Sequence, residues 1–80
     1  MPEIVRLSNC KISIFVRGEH PPPHFRVRGP VSNGSVVIAT LELLKGSVSR
    51  RDFREVQDWA SLPENMALLL EVWRMLHERE

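Results

Sequence analysis

The chain has 80 residues, of which 42% are hydrophobic and 26% are charged, and its formal net charge is +1. This length predicts one small domain over residues 1–80, and it excludes a large enzyme with a deep pocket and a doubly wound nucleotide-binding fold. Cys10 is the single cysteine, which excludes an internal disulfide and an all-cysteine zinc site. Because we find neither a secretory signal nor an apolar run of about 18 residues, we expect a cytoplasmic protein.

Charge is distributed unevenly along the chain. Residues 1–48 contain six bases and three acids, whereas residues 49–80 contain five bases and seven acids. The near-neutral total argues against a protein that coats nucleic acid without selectivity. A chain with this asymmetry can present one basic side to an anionic partner.

Residues 1–48 have the alternating pattern of a β-meander. Ile12, Ile14 and Val16 predict one side of a strand, and Phe25 and Val27 predict the inward side of another. Ser8-Asn9 predicts a tight turn, and Asn33-Gly34 is the strongest hairpin signal because a type I′ turn needs positive φ at both central residues. Four antiparallel strands are therefore predicted: Ile4–Leu7, Lys11–Arg17, His24–Arg28 and Ser35–Leu41. A brief fifth extended piece is predicted at Leu43-Leu44.

Residues 49–80 predict two helices. Ser49 and Asp52 have the spacing of a capping box, and Ser61 with Glu64 repeats it around Pro63. The second helix carries two adjacent apolar stripes, which are typical of a helix packed on a sheet and on a neighbouring helix: Met66, Leu69, Leu70, Trp73 and Leu76 in one, and Leu68, Val72 and Met75 in the other. The predicted fold is α+β, a four-stranded antiparallel meander packed on two C-terminal helices.

One segment has a composition that suggests chemistry, namely His20-Pro21-Pro22-Pro23-His24. Two imidazoles on a stiff proline loop could act as acid and base, ligate a metal or bind phosphate, but they could equally be polar surface residues on a long turn. In an extended path the two rings are roughly 12 Å apart, and two histidines fall short of the three protein ligands usual for zinc. His77 is not placed near them by any pattern. We therefore expect no metal and no cofactor.

The same segment resembles the signature of a bacterial family of short proteins, domain-of-unknown-function family 4160. Its members begin Met-Pro and carry Asp-His-x-Pro-Pro-His-Phe-His between two strands. The matching stretch here is Glu19-His20-Pro21-Pro22-Pro23-His24-Phe25-Arg26, and Met1-Pro2, Gly46 and Trp59-Ala60 also agree. Glu19 replaces the usual aspartate, and Arg26 replaces the third histidine, so a role of that imidazole as ligand or base would be lost here.

The resemblance implies a component of a two-protein, toxin–antitoxin-like module, with a small protein encoded nearby as partner and RNA or DNA as a target. Independently, the outward side of the predicted strands carries bases and an aromatic ring, which suit a nucleic-acid backbone and a stacked base. The predicted nucleic-acid-binding residues are Lys11, Phe15, Arg17, His24, Arg26 and Arg28. An ordinary solvated strand face with bases that guard against edge pairing is the competing interpretation.

Two further functions stay open. A metal-independent ribonuclease would use His20 and His24 for proton transfer, with Arg26 or Arg28 stabilising the phosphorane, but no carboxylate is placed to orient either imidazole. A purely structural role would use surplus apolar surface around Trp59 and Trp73 to bind a second copy or another protein. The pattern favours a binding protein over an enzyme. A helix-turn-helix is excluded because the last helix is too apolar to lie in a DNA groove.

Overall fold

The computed structural model describes residues 3–14 and 22–77. Five strands form one sheet in the order β1-β2-β3-β4-β5, and each neighbouring pair is antiparallel. Two helices follow, so the α+β class is confirmed with five strands instead of four. The elements are β1 (Glu3–Arg6), β2 (Lys11–Ser13), β3 (His24–Gly29), β4 (Ser32–Val37), β5 (Leu43–Ser47), α1 (Arg50–Ala60) and α2 (Pro63–His77). Within the described ranges, neither helix is long and apolar enough to cross a membrane.

The prediction of a hairpin turn at Asn33-Gly34 is wrong. Asn33 lies inside β4 opposite Arg28, and the β3–β4 turn is formed by Pro30-Val31 instead. Gly34 is there because β5 passes close by: a Cβ on this residue would lie 2.9 Å from the carbonyl oxygen of Lys45. Glycine therefore serves close strand approach here, not a positive φ in a turn.

The predicted brief extension at Leu43-Leu44 is a full edge strand that continues through Gly46. Gly46 has φ of +80°, and a Cβ on it would lie 2.7 Å from the Cα of Gly34. The predicted turn at Ser8-Asn9 is confirmed, since the Leu7 amide donates to the Cys10 carbonyl at 2.7 Å.

The predicted N-cap of α1 is confirmed. The Ser49 hydroxyl accepts a hydrogen bond from the Asp52 amide at 3.1 Å. The Asp52 side chain does not return directly to the Ser49 amide, as it would in a capping box. Instead the Ser49 amide donates to the Ser32 hydroxyl at 3.0 Å, and that hydroxyl donates to Asp52 Oδ2 at 2.5 Å. The start of α1 is thereby joined to the start of β4.

The predicted second N-cap at Ser61 is one residue early. Ser61 ends α1, with its amide donating to the Gln57 carbonyl at 3.0 Å, and α2 begins at Pro63. Asn65 Nδ2 donates to the Trp59 carbonyl at 3.0 Å and so holds the two helices together at their junction. Proline is tolerated at the first position of α2 because its missing amide would have no helical partner there.

The hydrophobic core combines the sheet with both helices. Phe25, Ile12 and Ile14 are fully buried from the sheet side, and Leu69 and Trp73 of α2 are buried against the same cluster. The broad apolar surface predicted for α2 is only partly used: Leu68, Leu70 and Met75 remain exposed by 43%, 42% and 62%. The prediction that both stripes pack on the sheet and the neighbouring helix is therefore wrong for these three residues.

Candidate anion-binding face of the sheet

The strand register divides the sheet into one apolar face and one polar face. Phe25 and Val27 alternate with Arg26 and Arg28 along β3, and successive residues of a strand point to opposite sides. Across the strands Val27 pairs with Ile12, while Arg28 pairs with Lys11. The apolar face carries the core. The other face is polar but only partly open: Ser13 and Ser35 are buried, Arg26 is half-buried and Arg28 is exposed.

Ten positions of this polar face form two rows that cross all five strands. The first row is Arg6, Lys11, Arg28, Asn33 and Ser47, and the second is Glu3, Ser13, Arg26, Ser35 and Lys45. These ten paired positions hold five bases and one acid. The predicted basic side of the sheet is thus present in the register, although its members differ from those predicted.

Three bases of the first row lie next to one another, and we call Arg6, Lys11 and Arg28 the cation row. Arg6 is opposite Lys11, and Lys11 is opposite Arg28. The same three residues line a pocket of about 340 Å³, together with the turns between β1 and β2 and between β3 and β4. Like charges directly across a sheet are destabilising. An anion held between them would remove that repulsion.

One of the turns that line this pocket is held by contacts with α1. The Ser8 amide and hydroxyl both donate to Glu55 Oε2, at 3.1 and 2.7 Å. On the other side, a Cβ on Gly29 would clash with the Asn9 carbonyl oxygen, so the two turns approach as closely as backbone allows. The pocket is therefore preorganised by the fold.

Cys10 lies at the pocket but is buried, with 6% of its surface exposed. Burial raises the pKa of its thiol to about 11, and the nearby Asp52 and Glu55 carboxylates act in the same direction. A thiol with this pKa is protonated at neutral pH and is a poor nucleophile. The pocket therefore offers charge and hydrogen bonding, not thiol chemistry.

Glu3 is the acid of the polar face and contacts the cation row. Its Oε2 is 3.2 Å from Arg6 Nε, and its Oε1 is 3.3 Å from Arg6 Nη2 and 3.9 Å from Lys11 Nζ. The hydrogen bonds from Arg6 lower the pKa of the Glu3 carboxyl below its usual value, so the carboxyl is ionised at neutral pH.

His24, which was predicted on the outward side, is buried instead. It is 5% exposed, and its ring lies 5.1 Å from the Trp73 ring of α2, tilted by 52°. Its Nδ1 is 2.8 Å from the Pro22 carbonyl oxygen, which only accepts, so Nδ1–H is the donor. Alternation alone placed His24 correctly beside Arg26 and Arg28, but it could not show that α2 reaches this end of β3.

The other predicted site residues fall into three groups. Lys11 and Arg28 are brought together, Arg26 is half-buried in the second row, and Phe15, Arg17 and His20 lie outside the described residues. Arg6 and Lys45 were missed. Arg6 could have been found, because a tight turn at Ser8-Asn9 pairs it with Lys11 on the neighbouring strand. Lys45 could be found only by predicting the full length of the fifth strand.

Metal ligation finds no support within residues 3–14 and 22–77, where no three His, Cys, Asp or Glu side chains are grouped to hold an ion. The chemistry that the described part of this face offers is recognition of negative charge by guanidinium and ammonium groups.

One family model matches most of the chain. No curated protein and no solved structure matches the chain significantly. The family model described as "Domain of unknown function (DUF4160)" matches residues 10–74, which include β2 to β5, α1 and most of α2. The chain therefore belongs to the domain-of-unknown-function family DUF4160.

Proposed function

We propose that this protein is a non-catalytic binding domain that holds the backbone of a single-stranded nucleic acid on the polar face of its sheet. The observation that carries the proposal is the cation row, in which three bases from three adjacent strands surround one pocket of about 340 Å³. Guanidinium and ammonium groups bind phosphate oxygens through charge-assisted hydrogen bonds.

The shape of the face favours a flexible strand over a duplex. The rows run across the strands, and adjacent strands are about 4.8 Å apart, so the path from Arg6 to Ser47 is about 19 Å long. A short extended strand fits on such a path. Contacts to phosphates position a nucleic acid without reading its bases, so binding through the cation row is expected to depend little on sequence.

The test is the affinity for a labelled oligouridine of about ten nucleotides, a length within the usual range for single-strand binding sites. Arg28→Ala is expected to weaken binding about fivefold, as the removal of a hydrogen bond worth about 1 kcal/mol implies. The slope of log affinity against log salt should fall in magnitude by about 0.7 for each phosphate that the variant no longer binds.

Arg54→Ala is the matched control, because Arg54 is exposed on α1, away from the sheet's paired polar positions. It should leave both affinity and salt slope unchanged. Equal weakening by Arg54→Ala and Arg28→Ala, or no binding by the unmodified chain at low salt, would remove the cation row as the binding site.

A second candidate function is association with another protein, as expected of one partner in a toxin–antitoxin-like pair. The exposed apolar side chains Leu68, Leu70 and Met75 on α2 favour it. Sedimentation of the isolated chain tests self-association: a concentration-dependent dimer that Met75→Glu dissolves supports a second copy as the partner. A monomer at all concentrations excludes a second copy as the partner.

The ribonuclease alternative has weaker support. His24 is buried against Trp73 and its Nδ1 is engaged by the Pro22 carbonyl, which leaves little of this imidazole open to a ribose hydroxyl. Cleavage of RNA by the purified chain in the presence of a chelator, lost in His24→Asn, would restore this alternative.

A further inference from the structure

Glu3 reaches the polar face only because β1 is irregular. The register of β1 with β2 shifts between Glu3 and Val5, which leaves Ile4 as an extra residue on one strand. In a regular strand, Glu3 and Arg6 are three residues apart and would point to opposite sides. The bulge reverses this, so that Glu3, like Arg6, lies on the polar face. Bulges often re-aim a side chain beside a functional site.

The carboxylate so placed contacts Arg6 as an anionic ligand would. Its two oxygens meet two nitrogens of one guanidinium, at 3.2 and 3.3 Å, and one of them is also 3.9 Å from Lys11 Nζ. Carboxylate and phosphate bind a guanidinium through the same two-pronged geometry. Arg28, the third member of the cation row, has no acid within ion-pair distance among the described residues.

We propose that Glu3 is the resident anion of the cation row, and that a ligand has to displace its carboxylate to bind. This inference rests on the proposed function, and it adds that the protein selects ligands with several phosphates over a single phosphate. A single phosphate competes with Glu3 for Arg6 and Lys11 and gains little. A chain with several phosphates also reaches Arg28, so it binds despite the displacement.

The exposure of the pair fits a replaceable contact. The Arg6 and Glu3 side chains are 72% and 37% exposed, so water and salt can take over their interactions when they separate. The lowered pKa of the Glu3 carboxyl keeps it charged at neutral pH, so the competition operates under ordinary conditions. Protonation of Glu3 in acid removes the competitor.

The experiment compares unmodified protein, Glu3→Gln, and the control Glu42→Gln, whose acid is exposed in the loop before β5. The probes are inorganic phosphate and the same oligouridine. Uracil does not gain a proton in mild acid, so the charge of the oligouridine stays constant during the measurement. We expect Glu3→Gln to tighten phosphate binding about threefold to fivefold and oligouridine binding less, at neutral pH. Glu42→Gln should change neither.

The pH profile gives a second readout. Affinity of the unmodified chain for oligouridine should rise as the pH falls through the lowered pKa of the Glu3 carboxyl, and this rise should be smaller in Glu3→Gln. Among the described residues, the charged groups in contact with Glu3 are Arg6 on its own strand and Lys11 on β2, and Arg26 and Arg28 lie one strand further on, in β3.

The outcomes separate this inference from the proposed function. If neither protein binds oligouridine, the proposed function fails. If both bind it with equal affinity and the same pH profile, binding at the cation row stands and the role of Glu3 is overturned. A larger gain for oligouridine than for phosphate would also contradict the selection of ligands with several phosphates.

Discussion

The two ends of β3 carry side chains of the same alternating series in opposite environments. His24 begins the strand and is buried against Trp73, whereas Arg28, about 13 Å further along, is exposed beside a pocket. Both residues lie on the side of the strand away from Phe25 and Val27. A strand's period therefore decides which residues share a face, while the path of a helix decides which part of that face is open.

The largest effect is expected from removing Trp73, the side chain that covers His24 at the buried end of β3. Trp73→Ala is expected to lower the free energy of unfolding by about 3–5 kcal/mol, because a large buried ring leaves a cavity. Urea unfolding measures the change. Arg74→Ala, an exposed neighbour on α2, should stay within about 0.5 kcal/mol. Equal losses for the two variants would contradict the assignment of Trp73 to the core.

His24 itself gives a smaller effect with a closer control. His24→Ala should cost about 1–3 kcal/mol, since it removes the contact with Trp73 and leaves the Pro22 carbonyl without its donor. His24→Asn should recover part of this loss, because its amide nitrogen can donate near the former Nδ1 position.

Binding completes the test of His24. Oligouridine affinity of folded His24→Ala should match that of the unmodified chain, whereas Arg28→Ala should weaken binding without lowering stability. If His24→Ala weakened binding as much as Arg28→Ala, the two ends would form one site, as the sequence alone predicts.

The smallest expected effect concerns Cys10 beneath the open end. Its pKa is raised to about 11 in the fold, so the unfolded chain releases the thiol proton at lower pH than the folded chain does. Stability should therefore decline as pH rises above the ordinary thiol pKa, and Cys10→Ala should flatten this decline. Thermal melts between about pH 8 and pH 10, a range that spans the ordinary thiol pKa, measure it. Identical pH profiles for the two proteins would contradict it.

Local pattern predicted much of this fold. The turn at Ser8-Asn9 and the cap at Ser49 depend on neighbours in sequence, and both are confirmed. The strand predicted from Lys11 is confirmed over Lys11–Ser13, and Phe25 and Val27 are buried as predicted. The turn predicted at Asn33-Gly34 is wrong because the contacts that require a glycine at position 34 come from β5 and not from its neighbours in sequence. The fifth strand was underestimated for the same reason, since an exposed strand with a glycine has little apolar alternation.

The candidate site was less predictable than the fold. Lys11 and Arg28 were named correctly as neighbours on one side of the sheet, and the register confirms that they are opposite each other. The position of Glu3 on the polar face depends on a bulge at Ile4, and a one-residue insertion has no signature in the hydrophobic period. The burial of His24 depends on α2, an element far from it in sequence.

The strand order has a consequence for how quickly the chain reaches its native state. Every strand pairs with the strand that precedes or follows it along the chain, so no pairing has to wait for a long loop to close. Folding rates of small proteins rise as their contacts become more local. Refolding from urea should accordingly be fast for a protein rich in β-structure.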